Sequence, residues 1–399
     1  MKKSTVIIIL MLLILLALAL SSCEPTTPTE GIVYELSEDG SYAEVVSYNG
    51  TDDRIIIASE YEGVPVTTIG YDAFFRLNIV QLIMPDSITT VDDYAFDECE
   101  ELESITFSKN LSFIGKRSFY NINIETLDLP DSVTYLDAEA FACCYNLKRV
   151  SLPDTISSIG TGAFANCRSL IQINLPSSLT EIPDEMFSSC TRLPGIEIGS
   201  NIRSIGSSAF KDCNMLDSLH LPEGLTSVGD FAFSYCDRLA RINIPSSLRH
   251  IGNNAFDGCD LLLYERYGGC YYLGDEDNPY RALISLYDLD AKEVTVHSGT
   301  RIIASGVFFS NGMIQSVILP EGVEYICRSA FSNCGQLRSV YIPGSVAVIE
   351  TEAFIYCEEI TLYCRAESQP DGWQANWNIY YYQPGSPTEF CNIIWGYTE

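Results

Sequence analysis

Cysteine is the residue type that could carry the most chemistry in this chain of 399 residues. It occurs fifteen times, and a thiolate can bind zinc, form a disulfide or act as a nucleophile. Nine cysteines share one setting, each three residues after a phenylalanine: Cys99, Cys144, Cys167, Cys190, Cys213, Cys236, Cys259, Cys334 and Cys357. No Cys-x-x-Cys pair, the usual zinc spacing, occurs in the sequence. The pattern therefore predicts a ladder of small buried side chains that support the backbone, and no metal site.

The three histidines, His220, His250 and His297, give little support to catalysis. No sequence signature places a nucleophile and an orienting group beside any of them. The acidic stretch Gly274–Asn278 carries groups that calcium prefers, but no twelve-residue loop with a distal glutamate follows, which favours an acidic turn. The sequence thus predicts a protein that is not an enzyme and that uses no cofactor.

The phenylalanines that precede these cysteines belong to a repeat. The set is Phe74, Phe96, Phe119, Phe141, Phe164, Phe187, Phe210, Phe233, Phe256, Phe308, Phe331 and Phe354. Successive members are 22 or 23 residues apart, except for one step of 52 residues after Phe256. The copies share the template L-x-x-I-x-L-P-x-x-L-x-x-I-G-x-x-A-F-x-x-C-x-x. Twelve copies at a fixed short period indicate a solenoid.

One repeat cannot form a core by itself. In the copy that begins at Leu170, Ile173 and Leu175 flank a polar residue, which predicts a short strand with one buried face. Leu179 and Ile182 predict a second short strand, after which sister copies have a glycine that suits a sharp bend, as at Gly160, Gly206, Gly229 and Gly252. The Ala-Phe segment predicts a short helical turn on a third side. The expected fold is a β-rich solenoid of about twelve such repeats, stacked around a continuous apolar core.

The template resembles the BspA-type leucine-rich repeat of bacterial surface proteins, over roughly residues 55–365. The stretch YYLGDEDNPYRALI (Tyr271–Ile284) is similar to one that interrupts the array in those proteins, and AESQPDGWQANWN (Ala366–Asn378) resembles their usual C-terminal ending. The resemblance implies a leucine-rich repeat fold and a cell-surface binding or adhesion module. It implies no particular ligand, because members of the family differ in what they bind.

The termini carry different signals. Two lysines, an apolar run and Leu20-Ser21-Ser22-Cys23 predict a lipoprotein signal peptide over residues 1–23, with Cys23 as the lipidated residue. The apolar run is short of the ~20 residues needed to span a bilayer. All three tryptophans lie near the C terminus, where they predict a lid over the last repeat or, alternatively, a platform for a sugar or peptide. Cys364 and Cys391 could form a disulfide there.

These signals divide the chain into seven segments. After the signal peptide come a Pro/Thr linker (24–31), an N-terminal hairpin cap (32–66), leucine-rich repeats (67–260), a Tyr-rich insertion (261–290), further repeats (291–365) and a C-terminal aromatic cap (366–399). We expect the insertion to project from one face of the solenoid as a hairpin or loop, because insertions in repeat arrays often lie on the binding face.

The net charge restricts the classes of partner that the protein is expected to bind. The chain has 53 acidic and 23 basic residues and a net charge of −30. Nucleic acid is therefore not an expected partner, because its binding requires clustered lysine and arginine. The acidity fits solubility or, alternatively, the binding of basic ligands or cations.

The candidate binding surface is the exposed face of the first strand of each repeat. Its members are Arg149, Gln172, Asn174, Glu197, His220, Arg241, Asn243 and Tyr341, with Tyr271, Tyr272 and Tyr280 of the insertion beside them. Two arginines stand out here in an acidic protein. Solenoids bind partners with such extended faces, although a merely solvated face has the same pattern.

The sequence as a whole predicts a monomeric, lipid-anchored protein of the bacterial cell envelope that is exposed at the surface. It would bind a protein or glycan of a host or neighbouring cell and contact the membrane only through its N-terminal lipid. An alternative is an envelope scaffold that binds other envelope proteins of the same cell. A glycan-processing enzyme on a β-helix is a third hypothesis, which the strict Ala-Phe segment disfavours.

Overall fold

The computed structural model describes residues 27–381 and 389–398, which form a solenoid of about 14 turns. The predicted signal peptide and its lipidation site, Cys23, lie outside the described residues. Within the described part of the chain, no helix has the length and apolar character to cross a membrane.

The secondary structure consists of short strands. The N-terminal strands are β1 (Ile32–Leu36), β2 (Ala43–Tyr48), β3 (Arg54–Ile56), β4 (Glu60–Tyr61) and β5 (Val64–Ile69). The repeats that follow contribute β6 (Gln81–Ile83), β7 (Thr90–Val91), β8 (Ser104–Thr106), β9 (Phe113–Ile114), β10 (Thr126–Asp128), β11 (Tyr135–Leu136), β12 (Arg149–Ser151), β13 (Ser158–Ile159), β14 (Gln172–Ile173), β15 (Glu181–Ile182), β16 (Ser204–Ile205), β17 (Ser218–Leu219), β18 (Ser227–Val228), β19 (Arg241–Ile242) and β20 (His250–Ile251).

The rest of the chain is built in the same way. Its strands are β21 (Glu265–Tyr267), β22 (Cys270–Leu273), β23 (Ala282–Leu286), β24 (Glu293–Thr295), β25 (Ile302–Ile303), β26 (Ser316–Ile318), β27 (Tyr325–Ile326), β28 (Ser339–Ile342), β29 (Val348–Ile349), β30 (Thr361–Cys364), β31 (Ile379–Tyr381), β32 (Glu389–Phe390) and β33 (Asn392–Trp395).

Parallel pairing between successive repeats produces two rows of strands. The first-strand row consists of the sheets β3-β6-β8, β10-β12-β14, β17-β19 and β24-β26-β28-β30-β33. The second-strand row contains β2-β5-β7-β9-β11-β13, β15-β16-β18-β20 and β23-β25-β27-β29. Residues at the same template position in successive repeats lie side by side. For example, Val150 pairs with Leu127 on one side and with Ile173 on the other. The predicted solenoid with two strands per repeat is confirmed, and its apolar residues form one continuous core.

The third side of each repeat is not a helical turn, so that part of the prediction is wrong. It is a run of β-turns in which alternate amides bond within and between repeats. The Ala142 N–H donates to the Glu139 carbonyl at 3.0 Å, whereas the Phe141 N–H donates to Ala163 of the next repeat at 2.9 Å. Glu139 and Cys143 have φ values of 56° and 59°. This left-handed geometry interrupts a helix and aims the intervening amides at the neighbouring repeat.

The template phenylalanines form a stack inside this third side. Neighbouring ring centroids are 4.7 to 6.4 Å apart, first from Phe74 to Phe256 and again from Phe308 to Phe354. Most of these rings are fully buried. Offset stacks of this kind add to the stabilisation that apolar burial gives.

The cysteine ladder supports the backbone between repeats. Each of the nine ladder thiols donates a hydrogen bond to the carbonyl of the phenylalanine in the preceding repeat, at 2.9 to 3.4 Å. Burial raises the pKa of Cys190 to about 12. All of these cysteines are free thiols, and so are Cys364 and Cys391, so the predicted C-terminal disulfide is wrong. The strand register explains this, because Cys364 lies opposite Trp395 and not opposite Cys391.

The glycine that follows the second strand of a repeat is required for a different reason from the one predicted. Gly229 does not have a positive φ. A Cβ atom on it would lie 2.6 Å from the backbone nitrogen of Ser207 in the preceding repeat. The close approach of two repeats, and not a sharp bend, therefore excludes a side chain here.

The long step in the repeat separates a first array (Phe74–Phe256) from a second array (Phe308–Phe354). The insertion between them does not project, contrary to the prediction. Strands β21, β22 and β23 pair antiparallel, and β23 pairs in parallel with β25, so the insertion begins the second array. The Ser305 N–H donates to the Ile251 carbonyl at 2.9 Å, which places β20, the last strand of the first array's second-strand row, against the second array.

The ends of the solenoid contain the predicted hairpin and aromatic residues. Strands β1 and β2 pair antiparallel, and Tyr48 packs on Phe74 with 5.9 Å between ring centroids. At the other end, Trp377 packs edge-on against Phe354 at 6.1 Å, and β33 extends the first-strand row beyond β30. That these elements act as caps stays a prediction.

Candidate binding face

The first-strand row displays most of the predicted binding residues. Arg149, Gln172 and Arg241 are exposed on its strands. His220 is exposed one residue after β17, and Glu197 is exposed in the gap of the row between β14 and β17, where no strand forms. The strand register sets Arg149 directly beside Gln172. The structure thus forms a polar face along the first array, and the role of this face in binding stays a prediction.

Asn174 and Asn243 have a structural task that the sequence analysis missed. The Asn243 carboxamide accepts a hydrogen bond from the Leu221 N–H at 2.7 Å and donates one to the Leu221 carbonyl at 2.9 Å. Asn174 makes the same pair of bonds to Leu152. Strands β14 and β19 end one residue before these asparagines, so the side chain replaces the backbone pairing that stops there.

Replacing Asn243 with alanine should destabilise the protein by about 1–3 kcal/mol, because it removes both hydrogen bonds to Leu221. The free energy of unfolding in urea would measure the loss. Arg241→Ala is the matched control on the same strand, and an exposed side chain of this kind should change stability by no more than about 0.5 kcal/mol. Equal losses in the two variants would contradict the role given to Asn243.

The three insertion tyrosines have different environments. Tyr272 is fully buried and accepts a hydrogen bond from the His297 N–H at 3.2 Å, so its prediction as a binding residue is wrong. Tyr280 is half-buried and stacks on the His297 ring, with 3.7 Å between centroids. Tyr271 is also half-buried and has the Arg266 guanidinium 5.2 Å from its ring centroid. Of the three, Tyr271 alone lines the cleft of about 530 Å³ where the two arrays meet.

An apolar and aromatic strip lies on the first-strand row of the second array. Strand pairing aligns Ile318 with Tyr341, Tyr341 with Tyr363, and Tyr363 with Ile394. Ile318 and Ile394 are 46% and 40% exposed, and both tyrosines are half-buried. We call these four residues, together with Tyr397, the tyrosine strip.

The rings of the tyrosine strip support one another. Tyr341 and Tyr363 stack with 4.9 Å between centroids and 15° between planes, and Tyr397 packs on both at 5.6 and 5.1 Å. They line a groove of about 200 Å³ whose edge carries an ion pair of 2.8 Å between Arg365 and Glu321. Sequence reasoning found Tyr341 and missed its partners, although Tyr363 lies one repeat later.

Two clusters of side chains contain atoms that could bind a metal ion. Asp275 of the acidic stretch accepts hydrogen bonds from the amides of Asp277 and Asn278, at 2.9 and 2.7 Å, as an acidic turn requires. In the described part of the chain, His250, Cys327 and Glu350 bring three potential ligand atoms within 4.8 Å of one another. The sequence analysis predicted no metal site and missed this group.

Comparison with known proteins agrees with the repeat architecture. The family model described as BspA type leucine rich repeat region matches residues 67–193, 135–263 and 284–361, which together exceed half of the chain. A leucine-rich repeat protein from Bacteroides ovatus is 25% identical, with a TM-score of 0.59 over 87% of this chain and 89% of that one. A leucine rich cell surface protein from Faecalibacterium prausnitzii is 24% identical, with a TM-score of 0.48 over 90% and 97% of the two chains.

Among functionally curated proteins, none matches the chain significantly. The family match covers both arrays, and the Bacteroides structure spans nearly the same length with the same kind of repeat. The repeats in sequence, the two strand rows and these matches together show that the chain belongs to the BspA-type leucine-rich repeat family.

Proposed function

We propose that this protein is a surface-exposed, lipid-anchored binding protein that recognises a protein ligand of a host or neighbouring cell through the first-strand row. The tyrosine strip is the anchor of this interface, and the polar face of the first array extends it. Membership of a repeat family associated with surface proteins supports the location and a binding role in general. Solenoids commonly use an extended strand face in this way.

The composition of the tyrosine strip carries the proposal. Protein interfaces are enriched in tyrosine and arginine, and their binding energy is concentrated in a few such residues. Here two tyrosines lie between two exposed isoleucines, with Arg365 at the edge of the groove. Exposed isoleucines would gain from burial against another protein, at roughly 25 cal/mol per Å² of apolar surface.

The ring geometry favours a protein over a glycan. A sugar binds an aromatic residue across the open face of its ring. The faces of Tyr341 and Tyr363 are turned towards each other, and Tyr397 packs against both. Ring edges, hydroxyl groups and aliphatic side chains remain for contact, which suits the mixed surface of a protein.

Alanine at Tyr363 should weaken ligand binding at least about tenfold, which corresponds to about 1.4 kcal/mol. The full-length protein, purified in detergent, would be applied to arrays of extracellular-matrix proteins and of glycans at physiological salt. Affinity for each hit would then be measured for the parent protein and for Tyr363→Ala. Tyr71→Ala is the matched control, because this tyrosine is exposed on the opposite end of the molecule.

The outcomes separate the competing functions. Unchanged binding in Tyr363→Ala, and also in a double charge reversal of Arg149 and Arg241, would remove the strand face from the interface. Hits confined to glycans would replace the protein ligand with a carbohydrate. Binding only to envelope proteins of the same cell would identify a scaffold.

A further inference from the structure

Three side chains that do not follow from the repeat template lie together at the junction between the two arrays. In the first array the residue after the second strand is usually glycine, as at Gly229 and Gly252. In the second array the same position holds Cys327 and, one repeat later, Glu350. These two side chains point to the place where His250 of strand β20 lies, at the end of the first array.

The three residues are close enough to share one ion. His250 Nδ1 lies 2.8 and 3.0 Å from the two carboxylate oxygens of Glu350, and Cys327 Sγ lies within 4.8 Å of both groups. The Glu350 carboxylate is held in place by the Arg328 N–H, which donates to it at 2.8 Å. Cys327 is fully buried, whereas the side chains of His250 and Glu350 are 30% and 18% exposed.

The ligand types are those that zinc selects. Zinc binds imidazole nitrogen, thiolate sulfur and carboxylate oxygen at about 2.0–2.3 Å in a tetrahedron, whose corners are then about 3.4–3.6 Å apart. The His250–Glu350 separation of 2.8 Å is shorter than that value, and the separations from Cys327 Sγ are at most 4.8 Å, so shifts of about an ångström would form the site. Three protein ligands leave a fourth position open. His250 also lines a groove of about 430 Å³, which gives an ion and water a route from solvent.

We propose that His250, Cys327 and Glu350 form a zinc-type metal site that joins the two arrays. Cys327 binds as the thiolate, so its proton is released to solvent when the metal enters. The Arg328 amide orients the carboxylate from outside the ligand set, as outer hydrogen bonds do at metal sites. One ligand comes from the first array and two from the second, so the bound ion fixes the arrangement of the arrays.

Cobalt(II) tests this assignment, because a thiolate ligand gives a sulfur-to-cobalt charge-transfer band. The full-length protein would be reduced, stripped with a chelator and titrated with Co²⁺ and then Zn²⁺. We expect one metal per chain, a charge-transfer band, and loss of that band as Zn²⁺ displaces Co²⁺. Cys327→Ser should abolish the band and weaken Zn²⁺ binding at least about tenfold.

Two further variants make the result decisive. Cys334→Ser removes a ladder thiol that donates to Phe308 and should keep the band. Glu350→Gln keeps the Cys327 thiol, so it should show the band with weaker affinity, even where Cys327→Ser folds poorly. Fewer than one metal per chain in the parent protein, a band that persists in Cys327→Ser, or a band lost equally in Cys334→Ser would overturn the proposal.

Discussion

Replacing Phe210 with alanine is expected to lower the free energy of unfolding by about 3–5 kcal/mol. The ring is fully buried, and its centroid lies 5.3 Å from that of Phe187 and 5.4 Å from that of Phe233. The substitution therefore leaves a cavity that interrupts the stack on both sides. In a solenoid each repeat contacts only its neighbours, so distant repeats cannot compensate for the two weakened interfaces. Urea unfolding followed by circular dichroism would measure the loss.

Phe309→Ala provides the control for this experiment. Phe309 immediately follows a stack member, yet its side chain is 60% exposed. Its removal should change stability by no more than about 0.5 kcal/mol. A loss in Phe210→Ala that is no larger than the loss in Phe309→Ala would show that the stack does not hold the repeats together.

Raising the pH from 8 to 10 should destabilise the protein by several kcal/mol. Burial raises the pKa of Cys99 and of Cys190 from 9.0 to about 12, and it raises the pKa of Cys167 and Cys213 in the same direction. The folded state therefore holds these protons more tightly than the unfolded state does. The stabilisation is fully present below pH 9 and is lost as the pH rises towards 12. At pH 10 Cys99 and Cys190 each contribute a loss of about 1.4 kcal/mol, and Cys167 and Cys213 add to this loss in the same direction.

A serine variant isolates the thiol contribution from other effects of alkaline pH. The free energy of unfolding would be measured at pH 8 and at pH 10 for the parent protein and for Cys190→Ser. The hydroxyl group does not ionise in this range, so the difference between the two pH values should shrink by about 1.4 kcal/mol. An unchanged difference would mean that the ladder thiols do not govern the alkaline stability.

The period of the phenylalanines was enough to predict the solenoid, and the apolar pattern within one copy was enough to predict its two strands. The N-terminal hairpin followed from the alternating residues on either side of the turn-forming segment Ser37–Ser41. These patterns were not enough for the third side, because Ala, Glu and Phe are compatible with a helical turn when one repeat is considered alone. Stacking decides the geometry there, since Phe141 finds its acceptor on Ala163 of the next repeat. The insertion was misjudged for a related reason: its tyrosines resemble an exposed loop, whereas β22, which carries Tyr272, pairs with β23, and β23 pairs with β25, so Tyr272 lies in the core.

The candidate site was predictable only in part. Exposure of Arg149 and Arg241 follows from strand alternation, but the double hydrogen bond of Asn243 depends on where strand β19 ends. His250, Cys327 and Glu350 could not be found by ligand spacing, because the meeting of the two arrays is not encoded in the period. A clue was nevertheless present, since Cys327 and Glu350 replace the template glycine in successive repeats.

Because its repeats stack at a fixed spacing, the first array also acts as a spacer of defined length. Parallel strands lie about 4.8 Å apart, so the eight steps from Phe74 to Phe256 hold the second array roughly 40 Å from the N-terminal hairpin. Each added or deleted repeat would move the tyrosine strip by about 5 Å along the first array and leave its own contacts unchanged. Gene duplication within the first array would therefore change the distance between the two ends of the molecule without altering the tyrosine strip.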